Sequence, residues 1–143
     1  MKIRKIQETD LQDLRELYIE LCDEDRSIES IQRAYKSIEN NEAYYLLGAE
    51  IDGKIVGTVM GIVCFDLAGE DKNFMTLENV VVSPEYRGRG ACKALFQEVE
   101  KIAREKNCDY IYFVSGKQRT VAHEAYRLLG YAEEGAKGFR KHL

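Results

Sequence analysis

Residues 80–92 of the chain read VVVSPEYRGRGAC, from Val80 to Cys92. A β-branched run, typical of a buried strand, leads to the chain's single proline and then to a basic, glycine-rich turn. From Ala91 onward, apolar residues recur at helical spacing. The first amides of a helix have no intrahelical partner and carry partial positive charge. A strand, a basic turn and a helix in direct succession therefore predict an anion site.

The turn favours a phosphate or a pyrophosphate as that anion. Gly88 and Gly90 allow positive φ angles and a close approach of the backbone, while Arg87 and Arg89 add charge. The alternative is a surface turn in which the glycines serve only the backbone geometry. The stretch is not a Walker A loop, because no Gly-Lys-Ser/Thr follows. It also lacks the third glycine of a dinucleotide-binding fingerprint.

The rest of the chain predicts the element order β-α-α-β-β-β-α-β-α-β. Asp52-Gly53 between two apolar runs predicts a type I′ hairpin. The order indicates the α/β (α+β) class, with a mixed, largely antiparallel central sheet flanked by helices. The predicted elements are strands at 2–6, 43–51, 54–65, 74–82 and 109–115, helices at 11–21, at 91–105, at 120–129 and from Ser27 or Ser30 to Glu39, and a short strand pair after Tyr131.

Length and charge limit the function classes. A chain of 143 residues predicts one domain over residues 1–143. A net charge of −4 argues against a nucleic-acid-binding domain, but residues 1–80 hold 17 acidic and 9 basic residues, whereas residues 81–143 hold 8 acidic and 12 basic ones. The basic part contains the turn, so a local anion site remains compatible. The apolar runs are too short to span a membrane, and the charged start predicts a cytoplasmic protein.

The cysteines and histidines do not form a metal-binding pattern. No pair of cysteines has C-x-x-C spacing, and the histidines are far apart in sequence. We therefore expect no metal and no disulfide, and we expect most of the thiols to be packed in apolar segments. The residues are Cys22, Cys64, Cys92, Cys108, His123 and His142.

With these residues in place, the chain resembles the GCN5-related N-acetyltransferases. The pyrophosphate loop of that family reads [Q/R]-x-x-G-x-[G/A], and the corresponding residues here are Arg87-Gly88-Arg89-Gly90-Ala91-Cys92. The element order and a closing A-x-x-x-Y-x-x-x-G-Y, at Ala122, Tyr126, Gly130 and Tyr131, extend the resemblance over nearly the whole chain. One departure is Cys92, where the family has glycine or alanine, and its side chain could crowd the pyrophosphate.

The resemblance implies an acetyl-CoA site and an acetyl transfer to a primary amine of a small molecule or peptide, by direct attack in a ternary complex. The strands at 74–82 and 109–115 would splay apart, so that the backbone of Val80, Val81 and Val82 bonds the pantetheine arm. Neither a nucleic acid nor a membrane is implied as partner, and a homodimer is left open. The pyrophosphate would lie on the amides of Arg87, Gly88, Arg89, Gly90, Ala91, Cys92 and Lys93.

Two side chains are candidates for proton transfer. Tyr126 matches the family's thiolate-protonating tyrosine, and an ordinary phenol pKa of about 10 against about 8.5 for a thiol makes that transfer feasible. Its alternative role is a core tyrosine on an amphipathic helix. Glu78 lies on the strand that leads to the turn. Burial there would raise its pKa and suit it as a general base, directly or through a water. The alternative is a solvent-facing carboxylate.

Three questions stay open at this level. The acidic segments Asp23–Asp25 and Asp66–Asp71 could attract a cationic acceptor such as a polyamine, an amino sugar or a lysine side chain, or could be ordinary solvated loops. The acyl donor could be another acyl-CoA, such as succinyl-CoA. A non-catalytic acyl-CoA-binding or regulatory module on the same fold is the alternative function, because the site and not the fold decides function.

Overall fold

The computed structural model describes residues 1–133, 135 and 138–143, which separate into two units, Met1–Tyr112 and Phe113–Leu143. Strands are defined by ladder pairing between residues, and helices by their backbone hydrogen bonds. The first unit contains strands β1 (Lys2–Lys5), β2 (Tyr44–Ile51), β3 (Lys54–Cys64), β4 (Asn73–Val82) and β5 (Cys108–Tyr112), and helices α1 (Leu11–Cys22), α2 (Ile28–Ile38) and α3 (Ala91–Glu105). The second unit contains helix α4 (Thr120–Leu128).

The five strands of the first unit form one sheet in the order β1-β2-β3-β4-β5. The first four strands pair antiparallel, whereas β5 runs parallel to β4 after the crossover through α3. The hairpin between β2 and β3 turns at Asp52 and Gly53, with φ angles of +50° and +80°. Two successive positive φ angles are those of a type I′ turn. The predicted mixed, largely antiparallel sheet and this hairpin are confirmed.

Helices α1 and α2 cover part of one sheet face, called here the α1 face. Their apolar side chains enclose a core with Ile6 from the end of β1, Ile55 from β3 and Val81 from β4. Ser27 caps α2, because its hydroxyl accepts a hydrogen bond from the amide of Ser30 at 3.2 Å. The helical side chains of this core are Leu11, Leu14, Leu17 and Ile31.

Helix α3 covers the opposite face. Leu95, Phe96 and Val99 are almost fully buried, as are Val59 and Met75 on the strands. Gly57 of β3 gives α3 room, since a Cβ built there would lie 3.5 Å from Leu95 Cδ1 and 3.1 Å from Val82 Cγ2. Burial on both faces explains the continuous apolar run of β3.

The end of the chain departs from the predicted elements. Strand β5 stops at Tyr112, whereas the sequence predicted a strand to Ser115. The predicted strand pair after Tyr131 falls partly on residues 134, 136 and 137, which lie outside the described residues, and the described residues of that segment carry no strand. In the described part of the chain, no helix is both long and apolar enough to cross a membrane.

Candidate acyl-CoA site

Strand β4 has two halves with different neighbours. Asn73–Thr76, the enclosed half, pairs with β3 on one side and with β5 on the other. The ladder with β5 ends at the Thr76–Tyr112 pair, and Leu77–Val82, the extended half, continues beyond it. The ladder ends there because β5 itself ends at Tyr112, so the predicted splaying of the strands at 74–82 and 109–115 stays a prediction.

A β-bulge interrupts the extended half. The β3–β4 register shifts between Thr58 and Met60, and Asn79 has a φ of +56°. A positive φ is uncommon for a residue with a side chain, although asparagine tolerates it better than most. A bulge turns backbone groups out of the regular ladder. The bulge thus lies between Glu78 and Val80, at the start of the segment predicted to hold the pantetheine arm.

Tyr18 of α1 lies beside the bulge on the α1 face. Burial raises the pKa of Tyr18 above its ordinary value, and a hydrogen bond with the Asn79 side chain opposes that rise. The phenol stays neutral at physiological pH and remains a hydrogen-bonding partner for Asn79. A direct link therefore connects the core of α1 with the strained residue of β4.

The turn after β4 has the backbone that the sequence predicted. Gly88 and Gly90 have φ angles of +73° and +84°. A Cβ built at either position would meet no atom within 4 Å, so the glycines serve backbone conformation rather than space inside the protein. A short 3₁₀ turn, Pro84–Tyr86, connects Val82 to this loop. The open space above the glycines is where a ligand can approach the backbone.

The beginning of α3 carries no side-chain cap. Gly90 occupies the cap position, and the first helical hydrogen bond runs from the amide of Ala94 to the carbonyl of Gly90 at 3.0 Å. The amides of residues 91–93 precede that bond and lie at the positive end of a helix dipole. Ala91 is buried, while Cys92 is half-buried and Lys93 is exposed. This geometry suits a phosphate group.

The two arginines of the loop have different surroundings. Arg87 Nη2 lies 2.6 Å from Glu20 Oε1 of α1, and Arg87 Nε donates to the Val82 carbonyl at 3.1 Å. Arg89 lies over the ring of Tyr86, with its Cζ 5.2 Å from the ring centroid. Both guanidinium groups are near the loop, but in this structure Arg87 is engaged with a carboxylate and with the extended half of β4.

Glu78 is exposed, which matches the solvent-facing alternative and not the buried carboxylate. It pairs with Met60 across the ladder and lies one residue before the bulge. Its neighbours Leu77 and Met75 are almost fully buried on the α3 face. The alternation of a strand therefore places Glu78 on the α1 face, where the polar head contacts solvent. Its position beside the bulge keeps it a candidate base.

Tyr126 belongs to the second unit and is buried there, 6% exposed. Its ring packs edge-on against Phe113 with centroids 4.8 Å apart, and Phe113 also contacts the ring of Tyr131. In the same unit, His123 Nε2 lies 3.0 Å from Ser115 Oγ, which gives this histidine a local structural partner. The motif tyrosine is thus an ordered part of an aromatic cluster.

Two carboxylates of the acidic loop after α1 already pair with arginines, so they are less available to a cationic acceptor than the sequence indicates. Arg15 binds Asp25 through two hydrogen bonds of 2.9 and 2.7 Å, and Arg26 binds Glu24 at 2.6 Å. Exposed ion pairs of this kind are ordinary solvated-surface features. They favour the solvated-loop alternative over a loop that attracts cations.

None of the four cysteines forms a disulfide, and only some of them are packed. Cys22 is exposed and the other three, Cys64, Cys92 and Cys108, are intermediate, so the expectation of mostly packed thiols is only partly met. Among the described residues, no group of three or more His, Cys, Asp or Glu side chains is placed to hold a metal ion.

Three residues of this site were not predicted from the sequence. Asn79 could be recognised only once the bulge was seen, because no dipeptide in the sequence marks a bulge there. Tyr18 is only one of several residues at helical spacing in α1. Glu20 lies 67 residues from Arg87 in sequence, and only the packing of α1 beside the loop brings the two together.

Comparison with solved structures shows the same fold over the full chain. A protein assigned as an acetyltransferase from Agrobacterium tumefaciens str. C58 has a TM-score of 0.91 at 22% identity, covering 100% of both chains. A transcriptional regulator from Bacillus halodurans C-125 has a TM-score of 0.91 at 25% identity, covering 99% of both. An aminoglycoside N-acetyltransferase, AAC(6')-Iy, in complex with CoA has a TM-score of 0.83 at 22% identity, covering 99% of this chain and 95% of the other.

A family model agrees with the resemblance of the loop and of the closing motif. The model of the acetyltransferase (GNAT) family matches residues 11–131, which include α1, the whole of β4, the glycine loop and α4. The chain therefore belongs to the GNAT acetyltransferase family.

Proposed function

We propose that this protein transfers the acetyl group of acetyl-CoA to the primary amine of a small molecule or peptide, by direct attack in a ternary complex. One observation carries the proposal. The extended half of β4 leads through a short 3₁₀ turn into a loop with two left-handed glycines and then into an uncapped helix. This arrangement would bring a strand backbone for pantetheine and backbone amides for a pyrophosphate together in one segment of the chain.

The family resemblance supports acetyl-CoA as the donor, and a structural neighbour was solved with CoA bound. The backbone of Val80, Val81 and Val82 would bond the pantetheine arm. The amides from Arg87 to Lys93 would hold the pyrophosphate. The half-buried Cys92 is small enough for the first helical turn, and Arg87 would exchange Glu20 for a phosphate.

The chemistry needs a deprotonated amine, a donor for the oxyanion and a proton for the leaving thiolate. Glu78 would accept a proton from the ammonium group, directly or through a water. The amine nitrogen would then attack the thioester carbon, and a backbone amide of residues 80–82 would stabilise the oxyanion. As the carbon–sulfur bond breaks, Tyr126 would give its proton to the thiolate. The extra proton that the nitrogen carries after the attack would leave through solvent, and a solvent proton would restore the Tyr126 phenol. The products are the acetylated amine and CoA.

Titration and turnover test the proposal together. Isothermal titration with acetyl-CoA and succinyl-CoA measures which donor binds. Turnover against a panel of amines is followed by chromatography of the released CoA, since the free cysteines would react with thiol reagents. We expect acetyl-CoA binding and acetylation of at least one amine. Binding without turnover of any amine would favour the non-catalytic acyl-CoA-binding module, and no binding of either donor would refute the proposal.

Tyr126→Phe tests the role of the general acid. Loss of a general acid lowers kcat by about 100-fold or more, while the Kd for acetyl-CoA should stay within about twofold. Tyr131→Phe is the matched control, because this tyrosine contacts the same Phe113 ring but has no proposed role. Equal rates for the two variants would show that Tyr126 is only a packing residue.

A further inference from the structure

Three aromatic rings form an exposed cluster on the sheet of the first unit. Phe74 of β4 stacks on Tyr110 of β5, with centroids 5.4 Å apart and an angle of 3° between the ring planes. Tyr112 lies 5.8 Å from Phe74 and 6.4 Å from Tyr110, tilted to both. Tyr110 is 51% exposed and Tyr112 is 48% exposed. Rings that lie half in solvent on a sheet face indicate a contact surface for a ligand.

The ladder register places this cluster on the same face as Glu78. Residues that pair across a sheet share a face, and so do alternate residues along one strand. Glu78, Thr76 and Phe74 alternate along β4, with Leu77 and Met75 buried on the other side. Three rows result. They are Met60–Glu78, then Tyr44–Ile62–Thr76–Tyr112, then Cys64–Phe74–Tyr110.

The three rows differ in polarity. The first row holds one carboxylate, Glu78, next to the bulge. The second and third rows hold aromatic, aliphatic, thiol and hydroxyl groups, and none of their members carries a charge at neutral pH. A molecule that lies along the rows would therefore meet an acid at one end and aromatic rings at the other. That polarity matches an amphipathic amine.

The spacing of the rows sets the size of that amine. Two residues along a strand span about 7 Å, and neighbouring strands lie about 4.8 Å apart. The second row, with Tyr112, is thus about 7 Å from the level of Glu78, and the third row is about 13 Å away. When the nitrogen lies beside Glu78, a ring two to four bonds away reaches the second row, about 7 Å from Glu78.

We propose that the acceptor is a primary amine with an aromatic ring a few bonds from the nitrogen, which places the ring against Tyr112, at the near end of the ring cluster, and the nitrogen beside Glu78. The inference rests on the proposed acetyl transfer and names its acceptor class. A ring suits these rows better than a second cation, since a second cation would find no carboxylate among the members of the second and third rows. Aromatic rings gain offset or edge-on contacts there.

Acceptor pairs that differ only in the ring test this assignment. 2-Phenylethylamine and n-butylamine share a primary amine on a short alkyl chain, and 1,6-diaminohexane adds a second cation instead of a ring. With acetyl-CoA saturating, we expect kcat/KM for 2-phenylethylamine to exceed that of both others by about tenfold or more. Equal values for the three amines, or the highest value for the diamine, would overturn the assignment while leaving the acetyl transfer intact.

Variants of the cluster locate the ring. Tyr112→Ala should lower kcat/KM for 2-phenylethylamine by about five- to tenfold, mainly through KM, and Tyr110→Ala, one row further from Glu78, should lower it less. Both variants should leave the value for n-butylamine within about twofold. Tyr112→Phe keeps the ring and should retain wild-type preference. Both tyrosines are half exposed, and circular dichroism checks the folding of each alanine variant. Unchanged preference in folded alanine variants would contradict the proposal.

A binding measurement separates this proposal from the proposed function. The chain has no tryptophan, so tyrosine fluorescence and isothermal titration can follow 2-phenylethylamine in the presence of CoA. If 2-phenylethylamine binds and this binding is lost in Tyr112→Ala, the aromatic site is supported. If no acetyl group is transferred in the same experiments, the proposed acetyl transfer is wrong and the aromatic site still stands. Turnover of amines without any preference for a ring would refute the aromatic site alone.

Discussion

The two halves of β4 perform opposite tasks within ten residues of chain. The enclosed half, Asn73–Thr76, has ladder partners on both sides and presents Phe74 to a cluster of rings. The extended half, Leu77–Val82, passes the end of β5 and contains a bulge before it enters the glycine loop. One half is therefore enclosed in the sheet and forms a side-chain surface, while the other is the segment whose backbone we propose binds the donor.

In the proposed function, the difference lets one strand contact two substrates. A backbone edge recognises any extended chain with alternating donors and acceptors, which describes the pantetheine arm shared by all acyl-CoA donors. A side-chain surface recognises shape and polarity, which vary among amines. Donor recognition should thus depend on glycine φ angles and amides, and acceptor recognition on the rings and Glu78. The following variants test that division.

Among these variants, the largest effect is expected for Gly90→Ala, on acetyl-CoA affinity. The left-handed φ of +84° costs an alanine about 1–2 kcal/mol, so the exposed loop should relax to another conformation and lower acetyl-CoA affinity by about 5- to 30-fold. Titration calorimetry measures this change. Gly53→Ala is the matched control, because Gly53 has a φ of +80° and equally open surroundings but lies in the β2–β3 hairpin.

In Gly53→Ala the same backbone penalty should appear as a loss of about 1–2 kcal/mol in the free energy of unfolding, with unchanged donor affinity. Denaturant unfolding measures it. If the two variants lowered donor affinity equally, the glycine loop would have no special part in binding.

A smaller effect is expected for Tyr18→Phe, which removes the partner of Asn79 at the bulge. A hydrogen bond contributes about 1 kcal/mol, so kcat should fall about fivefold if the bulge positions the reacting groups. Tyr35→Phe is the control. Tyr35 packs on the same core, its pKa is likewise raised by burial, and its hydroxyl donates to the carbonyl of Ile6 at 3.4 Å.

Both tyrosine variants should lose similar stability, but only Tyr18→Phe should lower kcat, while the KM for acetyl-CoA changes little. A matching decrease in kcat for Tyr35→Phe would mean that the core as a whole, and not the bulge, limits the rate.

The smallest effect is expected for Glu20→Gln. The pair between Glu20 and Arg87 is exposed on both sides, so its loss should change the free energy of unfolding by less than about 1 kcal/mol. Release of Arg87 should tighten acetyl-CoA binding by about twofold, and added salt should reduce the gain. Glu16→Gln is the control. Glu16 lies on α1 like Glu20 but pairs with Lys54 of β3 at 3.1 Å, so its loss should leave acetyl-CoA affinity unchanged. A weaker affinity in Glu20→Gln would mean that Glu20 orients Arg87 for the ligand.

Much of the fold could be predicted from local patterns. The apolar run of β3, the Asp52-Gly53 turn and the helical spacing after Ala91 each concern neighbouring residues, and all three appear in the structure. The sequence left open whether Glu78 is buried or solvent-facing, because a run of apolar neighbours does not reveal which face of the strand is covered. The prediction extended β5 to Ser115, since strand propensity continues past the point where the ladder with β4 ends.

The sequence by itself determined the backbone of the glycine loop and the start of α3. Glycines at positions 88 and 90, the two arginines and the helix that follows act through backbone angles and nearby charge, which need no distant partner. Only the tertiary structure decided the bulge at Asn79, its contact with Tyr18, the ion pair of Glu20 with Arg87 and the cluster of rings on the same sheet face as Glu78. Each of these depends on register and on packing between elements far apart in the chain, and a one-residue shift in register would move every side chain to the other face.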